Sequence, residues 1–282
     1  MKASVEGQIT DLSKARLPLA DHGLLYGDSV YETMRSFAGE VFEVPRHLQR
    51  LRRSAAGVYL DVPWTDKQLT EQLEHFRTHL EGRDHYLRLL ITRGCGEFSY
   101  VTENQQPRLI LYGGPLPKTD VAALRRGIRV TVAARRRNPI SSLSPGLKTG
   151  NLLNPRLAAM EARQAGFDDA ILCNLEGQLA EGTTSNLFLV FPDGTLATPS
   201  PDSGLLEGIT RAVILELATR LGLTVEQRRI ELAELERASE VFFCSSTRSV
   251  APVCAIDARS LATPGPVTER LMQAFIDLAG DL

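Results

Sequence analysis

Cysteine is scarce in this chain, tryptophan occurs once, and no long apolar run is present. The four cysteines, Cys95, Cys173, Cys244 and Cys254, have neither metal-ligand spacing nor the density of a disulfide scaffold. Reduced thiols in a cytoplasmic protein are therefore expected. No stretch approaches the roughly 18 apolar residues of a membrane span. Met1-Lys2-Ala3-Ser4-Val5-Glu6-Gly7 carries no apolar signal region. A one-signed field is missing too: 32 basic against 34 acidic residues leave a formal charge of −2. That balance argues against nucleic acid or an anionic membrane as partner. The basic runs Arg50 to Arg53 and Arg135-Arg136-Arg137 read as solvated faces, with Arg50 set apart below.

What is present is ordinary globular material, 282 residues with 43% hydrophobic and 23% charged, enough for about two domains. Glu40-Val41-Phe42-Glu43-Val44 alternates as a half-buried strand does. After Pro45, Leu48, Leu51, Ala55 and Val58 recur at helical spacing. Thr65 and Gln68 form a capping-box pair ahead of the stripe Leu69, Leu73, Phe76 and Leu80, which Gly82 ends. Tyr86 to Thr92 and Arg108 to Tyr112 are β-rich, completing a small α+β unit. Gly113-Gly114-Pro115-Leu116-Pro117 interrupts both periodicities, so the domain boundary is set there: 1–114 small, 115–282 large.

Beyond the break, strands are expected at Ile128 to Ala133, Ala170 to Cys173, Leu187 to Phe191, Thr195 to Ala197, Val225 to Ile230 and Val241 to Cys244. Helices are expected from Asn154-Pro155, with Leu157, Met160 and Ala165 inward, and from Gly208, with Val213, Ile214, Leu217, Ala218 and Leu221. A last one carries Leu271, Met272, Phe275 and Ile276.

Chemistry concentrates around Gly146-Leu147-Lys148-Thr149-Gly150-Asn151-Leu152-Leu153-Asn154. A lysine between an apolar residue and a glycine turn can be poorly solvated, which lowers its pKa and makes it a nucleophilic amine able to form a Schiff base. Most lysines are nevertheless solvated surface charges. Glu181-Gly182-Thr183-Thr184-Ser185-Asn186 reads as a polar turn whose carboxylate could hold a pyridine nitrogen protonated. Leu206-Glu207-Gly208-Ile209-Thr210-Arg211 opens a helix with a glycine and a hydroxyl, an arrangement suited to phosphate. Cys244-Ser245-Ser246-Thr247 offers further hydroxyls, and Arg50 a bidentate phosphate partner. Each has a bland counterpart as a plain turn or helix start.

Together, in this order, these stretches resemble the class IV, fold-type IV pyridoxal-phosphate enzymes, which include branched-chain and D-amino-acid aminotransferases and aminodeoxychorismate lyases. The resemblance runs from Asp21-His22-Gly23-Leu24-Leu25-Tyr26-Gly27-Asp28 to Ala251-Pro252-Val253, and includes Glu161-Ala162 and Asn186-Leu187-Phe188. It implies an α+β fold of a small N-terminal and a larger C-terminal α/β domain, with pyridoxal 5′-phosphate between them. It also implies a homodimer. By position it makes Lys148 the Schiff-base lysine and proton shuttle, Glu181 the partner of the pyridine nitrogen, and Arg50, Ile209, Thr210 and Ser246 the phosphate contacts. Tyr26 resembles the tyrosine lining the substrate side.

The substrate is less legible. Tyr86-Leu87-Arg88-Leu89 keeps the tyrosine and arginine of the Tyr-Ile-Arg-Pro stretch of branched-chain enzymes but not its proline, so Arg88 could meet a substrate carboxylate or simply alternate outward. Phe98 and Tyr100 stand where D-amino-acid enzymes place an arginine and a histidine. The Lys148-to-Glu161 spacing and Ser245-Ser246-Thr247 nonetheless resemble those enzymes more. Arg93-Gly94-Cys95-Gly96 resembles a lyase loop; as a dinucleotide loop it fails, since Ser99 replaces the third glycine. The expected activity is ping-pong amino transfer between an amino acid and a 2-oxo acid, with aminodeoxychorismate lyase as the alternative and a pyridoxal-phosphate-binding module without turnover as the non-enzyme reading.

Overall fold

The computed structural model describes residues 1–97, 99–100, 106–116 and 120–280. The chain divides into two compact units: Met1–Lys118 with Leu147–Asn151, and Thr119–Gly146 with Leu152–Leu282.

The first unit is built on an antiparallel sheet of β1 (Lys2–Val5), β2 (Gln8–Asp11), β3 (Ser29–Phe37), β4 (Glu40–Val41), β5 (His85–Thr92) and β6 (Arg108–Pro115), ordered β2-β1-β6-β5-β3-β4. A one-turn helix, α1 (His22–Leu25), precedes β3. Two helices, α2 (Val44–Gly57) and α3 (Asp66–Arg77), bring Leu48, Leu51, Leu69, Leu73 and Phe76 against Val30, Met34, Leu87, Leu89 and Ile91 of the sheet. Alternation then sends Tyr31, Thr33, Arg35, Tyr86, Arg88 and Tyr112 to the opposite face, where Thr33 pairs with Arg88 and Arg88 with Tyr112. The Thr65–Gln68 capping box is present in full, which is why α3 starts where it does.

The second unit opens with α4 (Val121–Arg126) and β7 (Ile128–Val132). Next come α5 (Leu153–Gln164), β8 (Asp169–Cys173), β9 (Leu179–Gly182), β10 (Asn186–Val190), β11 (Leu196–Pro199), α6 (Ile209–Arg220) and β12 (Val225–Arg228). β13 (Glu240–Ser245), β14 (Ser249–Ile256), β15 (Arg259–Ser260) and α7 (Pro266–Ala279) complete it. The strands run β12-β11-β10-β13-β14-β7-β8-β9, with β15 on β14, and the β7-to-β8 crossover is parallel. Leu187, Leu189, Val241, Phe243, Ala251 and Val253 form the centre of its core.

Four expectations need correction. The strand expected over Glu40–Val44 is only two residues long, because Val44 and Pro45 already belong to α2, whose N-cap Glu43 turns left-handed at φ 56°. The inward stripe of α5 is Pro155, Ala158 and Ala162 rather than Leu157, Met160 and Ala165. Small side chains let this helix lie close on Ala170 and Leu172 of β8, leaving Met160 49% exposed. Glu181 lies within strand β9, next to its last residue, instead of belonging to a turn. Lastly, the division at 114/115 assigns Lys148 to the larger unit, whereas Leu147–Asn151 packs with the first. The cause is backbone pairing on the edge of β3. Tyr31 N–H donates to the Lys148 carbonyl at 3.0 Å, Gly150 N–H to that of Ser29 at 2.9 Å, and Thr149 bridges Val30.

Candidate active site

In the first unit, Lys148 is fixed at its backbone before its side chain is considered. Its carbonyl is held by β3, and its N–H donates to Ser54 Oγ of α2 at 3.0 Å. Gly150 has to be glycine, since a Cβ there would lie 2.3 Å from Ser29 Oγ and 2.9 Å from the Gly27 carbonyl oxygen. The Lys148 ammonium then stands 4.5 Å from the centroid of the Tyr31 ring, and the side chain is partly exposed rather than sealed from solvent. Arg88 shares that ring, its guanidinium carbon 3.8 Å from the same centroid and 5.8 Å from that of Tyr112. Among the described residues the buried Arg88 Nε has no hydrogen-bond acceptor. Two cations thus converge on one aromatic ring on this face of the sheet, an arrangement that favours an anionic guest.

Behind this face, under α2, Glu32 is fully buried. Arg50 grips it through Nε at 2.9 Å and Nη2 at 2.6 Å, and His47 Nδ1 lies 2.6 Å from Oε2. Burial opposes the charge of Glu32, but Arg50 and the hydrogen bonds from Arg50 and His47 outweigh it and hold the carboxyl at about 2. Burial in turn lowers the pKa of His47, with Glu32 opposing the shift. Tyr26 stacks edge-on with His22 at 4.9 Å and lies 5.4 Å from Tyr100; Tyr86 lies 6.4 Å from Tyr112. Phe98, named with Tyr100 in the D-amino-acid comparison, is outside the described residues. Arg93 clamps the turn beside Tyr26, with Nε and Nη2 on Asp28 at 2.5 and 3.0 Å, Nη2 also on the Val58 carbonyl at 2.7 Å and Nη1 on the Tyr59 carbonyl at 2.8 Å.

In the second unit, Glu181 is buried and takes hydrogen bonds from Arg137 Nε at 2.8 Å and from the Leu206 N–H at 3.1 Å. Arg137 also reaches Asn154 Oδ1 at 3.1 Å. Arg137 is the residue that sequence reasoning misses: its run reads as a solvated face, yet its side chain is only 12% exposed. The one available signal is Pro139 two residues on, which breaks any helix or strand that would have turned the run outward.

Gly208 caps α6 without a side chain, so the first-turn N–H groups of Ile209 and Thr210 take no side-chain cap. A Cβ at Gly208 would lie 2.0 Å from Asn186 Oδ1. Ser246 sits in the hairpin between Ser245 and Ser249, which is tied to the 183–185 turn through Asp169. That carboxylate accepts from Thr183 Oγ1 at 2.5 Å and pairs with Arg248. A glycine-capped helix start and an arginine-held carboxylate in the second unit, and a lysine in the first, are each the kind of group that a phosphorylated pyridine aldehyde requires, so the chemistry of these residues fits pyridoxal phosphate.

The amino-transferase class IV family matches residues 29–256 of the chain. A putative branched-chain-amino-acid aminotransferase of Methanocaldococcus jannaschii is 35% identical over 282 residues, covering 99% of this chain and 96% of that one. A D-alanine aminotransferase of Bacillus licheniformis is 30% identical over 98% of this chain and 96% of its own length. Among solved structures, the branched-chain aminotransferase of Thermoproteus uzoniensis with norvaline superposes with a TM-score of 0.91 at 32% identity, covering 99% of this chain and 94% of that one. The branched-chain amino acid aminotransferase of Thermobaculum terrenum, in its pyridoxal-phosphate holo form, does so at 0.88 and 26%, covering 99% and 93%.

The chain belongs to the class IV aminotransferase family. It is an enzyme, a pyridoxal-phosphate-dependent aminotransferase with the fold of the branched-chain enzymes. Its substrates are amino acids and 2-oxo acids, and no helix among the described residues is long and apolar enough to cross a membrane.

Proposed function

We propose that Lys148 is the amine that carries the cofactor and moves the substrate's α-proton, and that Arg88 binds the carboxylate shared by amino acid and 2-oxo acid. The convergence of Lys148 and Arg88 on the Tyr31 ring carries this reading. An amine poised beside a guanidinium with an unused donor suits a substrate that brings a carboxylate one bond from its reacting carbon. Tyr26 and Tyr86 border the same substrate. Glu181, kept in place by Arg137 and the Leu206 N–H, holds a proton on the pyridine nitrogen. Ile209, Thr210, Ser246 and Arg50 hold the phosphate, making the second unit, residues 115–282 in the sequence division, the main cofactor carrier. Pyridoxal phosphate, when bound, supplies an electron sink for negative charge at the substrate's α-carbon.

The reaction is a ping-pong exchange in which an amino acid leaves as its 2-oxo acid and a second 2-oxo acid leaves aminated. Donors are branched-chain or D-amino acids, in keeping with the branched-chain amino acids and D-alanine that the relatives' names give. Leu24, Leu25 and Tyr100 on the surface of the first unit, 58%, 39% and 93% exposed, are apolar ground for the dimer contact of a homodimer. Four free cysteines suit a reducing cytoplasm.

Three assays test this reading. Borohydride reduction followed by peptide mapping puts the cofactor on Lys148; an adduct on another lysine overturns the assignment. Single amino acids from an L and D panel, given alone, release one equivalent of their 2-oxo acid per site. If none does so while aminodeoxychorismate yields pyruvate with no added 2-oxo acid, the lyase alternative replaces the transferase.

A further inference from the structure

Arg211 is the third residue of α6 and is 4% exposed. Its guanidinium is satisfied only by neutral acceptors: Nε donates to Thr198 Oγ1 at 3.3 Å, and Nη2 to the Pro199 carbonyl at 2.9 Å and to Gln227 Oε1 at 3.1 Å. Among the described residues no carboxylate lies within ion-pair distance of it. Burial opposes its charge and outweighs the electrostatic support of Cys244 and Glu207. Arginine stays protonated in proteins. A cation buried without a counter-charge is costly, and folds ordinarily pair it.

The position is informative. Arg211 follows directly on Ile209 and Thr210, whose N–H groups form the uncapped first turn, and its Cβ packs 3.4 Å from where a Gly208 side chain would begin. Helix terminus and buried guanidinium therefore present positive potential of the same sign at one end of one helix. We infer that Arg211 is a positioning residue that supplies buried positive charge behind the Ile209–Thr210 cup, raising its affinity for a dianionic phosphate that the guanidinium itself does not touch. The inference rests on the proposed phosphate role of that cup. It assigns the counter-charge missing from the protein to the ligand.

A purely structural Arg211, stapling the start of α6 to the ends of β11 and β12, would make the same three hydrogen bonds. Gln227→Glu separates the two. It leaves Arg211 and its hydrogen bonds in place, sits on the exposed strand β12, and puts a carboxylate against the guanidinium. Apoenzyme of the full chain is titrated with pyridoxal phosphate, with unphosphorylated pyridoxal and with inorganic phosphate, and its melting temperature is recorded. Gln227→Glu is expected to raise the melting temperature yet weaken pyridoxal phosphate and inorganic phosphate about threefold to tenfold, with pyridoxal affinity unchanged. Arg211→Lys, which keeps the charge and loses the fork, should retain most of the phosphate preference. Equal weakening of pyridoxal phosphate and pyridoxal, or no change in either, overturns the charge role. A wild-type protein that prefers neither phosphate nor the phosphorylated cofactor overturns the cup itself, and this inference with it.

Discussion

Arg137 Nε donates to Glu181 Oε1 at 2.8 Å, so the carboxylate assigned to the pyridine nitrogen is also the carboxylate of a largely buried ion pair. Glu181 keeps its other oxygen on the Leu206 N–H. The guanidinium therefore fixes where the carboxylate points without covering both of its oxygens.

Replacing Arg137 with Gln should unfix that orientation while leaving Glu181 in place. Turnover is expected to fall about tenfold to a hundredfold, equivalent to roughly 1.4–2.8 kcal/mol of transition-state stabilisation. Cofactor affinity should change far less, since the residues proposed to hold the phosphate are untouched. Glu181→Gln should go further, cutting turnover by orders of magnitude in protein that still binds cofactor. Steady-state kinetics at saturating cofactor check both; a turnover equal to wild type in Glu181→Gln would falsify its role.

Gly150→Ala tests whether the backbone around Lys148 is as tightly set as its contacts imply. The new methyl would meet Ser29 Oγ at 2.3 Å and the Gly27 carbonyl at 2.9 Å, so either β3 or the lysine segment has to move. A stability loss of about 1–3 kcal/mol is expected from such overpacking. Denaturant titration measures it, and an unchanged midpoint with unchanged turnover would mean the segment is slack.

The buried Glu32 cluster sets an acid limit. Its folded pKa of about 2 lies below the ordinary 4.5, so its contribution is complete above pH 4.5 and is lost as pH falls toward 2. That shift corresponds to about 3 kcal/mol. His47 acts in the same direction: its folded pKa is lowered, so stability also declines as pH drops through 6.5, where the unfolded imidazole takes up a proton. Glu32→Gln should be less stable at pH 7 and show a shallower decline toward acid, read from thermal melts across pH. Arg50→Ala should lose cofactor affinity and stability together, because it strips Glu32 of its bidentate partner.

Arg88→Ala should raise KM for the amino acid and for the 2-oxo acid together, by about tenfold to a hundredfold, the value of one charge-assisted pair. Cofactor affinity should stay at the wild-type level. A change confined to one of the two substrates would show that Arg88 reads a side chain and not the shared carboxylate.

The legible parts of the chain are those where one residue type has one physical use. Thr65 and Gln68 announce a helix start, and Gly208 followed by Ile209-Thr210 announces another. The longest strand, β3, is not among them. Its helix-facing positions Val30, Glu32, Met34 and Ser36 include a carboxylate that only His47 and Arg50, fifteen and eighteen residues away, make tolerable there. Arg137 hides in a basic run for the same reason, its partner lying 44 residues on. In α5 the alternation of large and small residues misleads: alanines face the sheet and Met160 faces outward. Pairings that compensate a buried charge leave no periodicity.

The excursion of Leu147–Asn151 means that the chain passes between its two units three times. No single cut parts them cleanly. A fragment ending at Lys118 would expose the backbone edge of β3 from Ser29 to Tyr31, and the remaining fragment would keep a lysine with no strand to hold it. During synthesis that edge stays bare until Asn151 has emerged, well after the rest of its sheet. Exchange of whole units between relatives, the usual freedom of a two-part chain, is closed unless these five residues travel with the strand they cover.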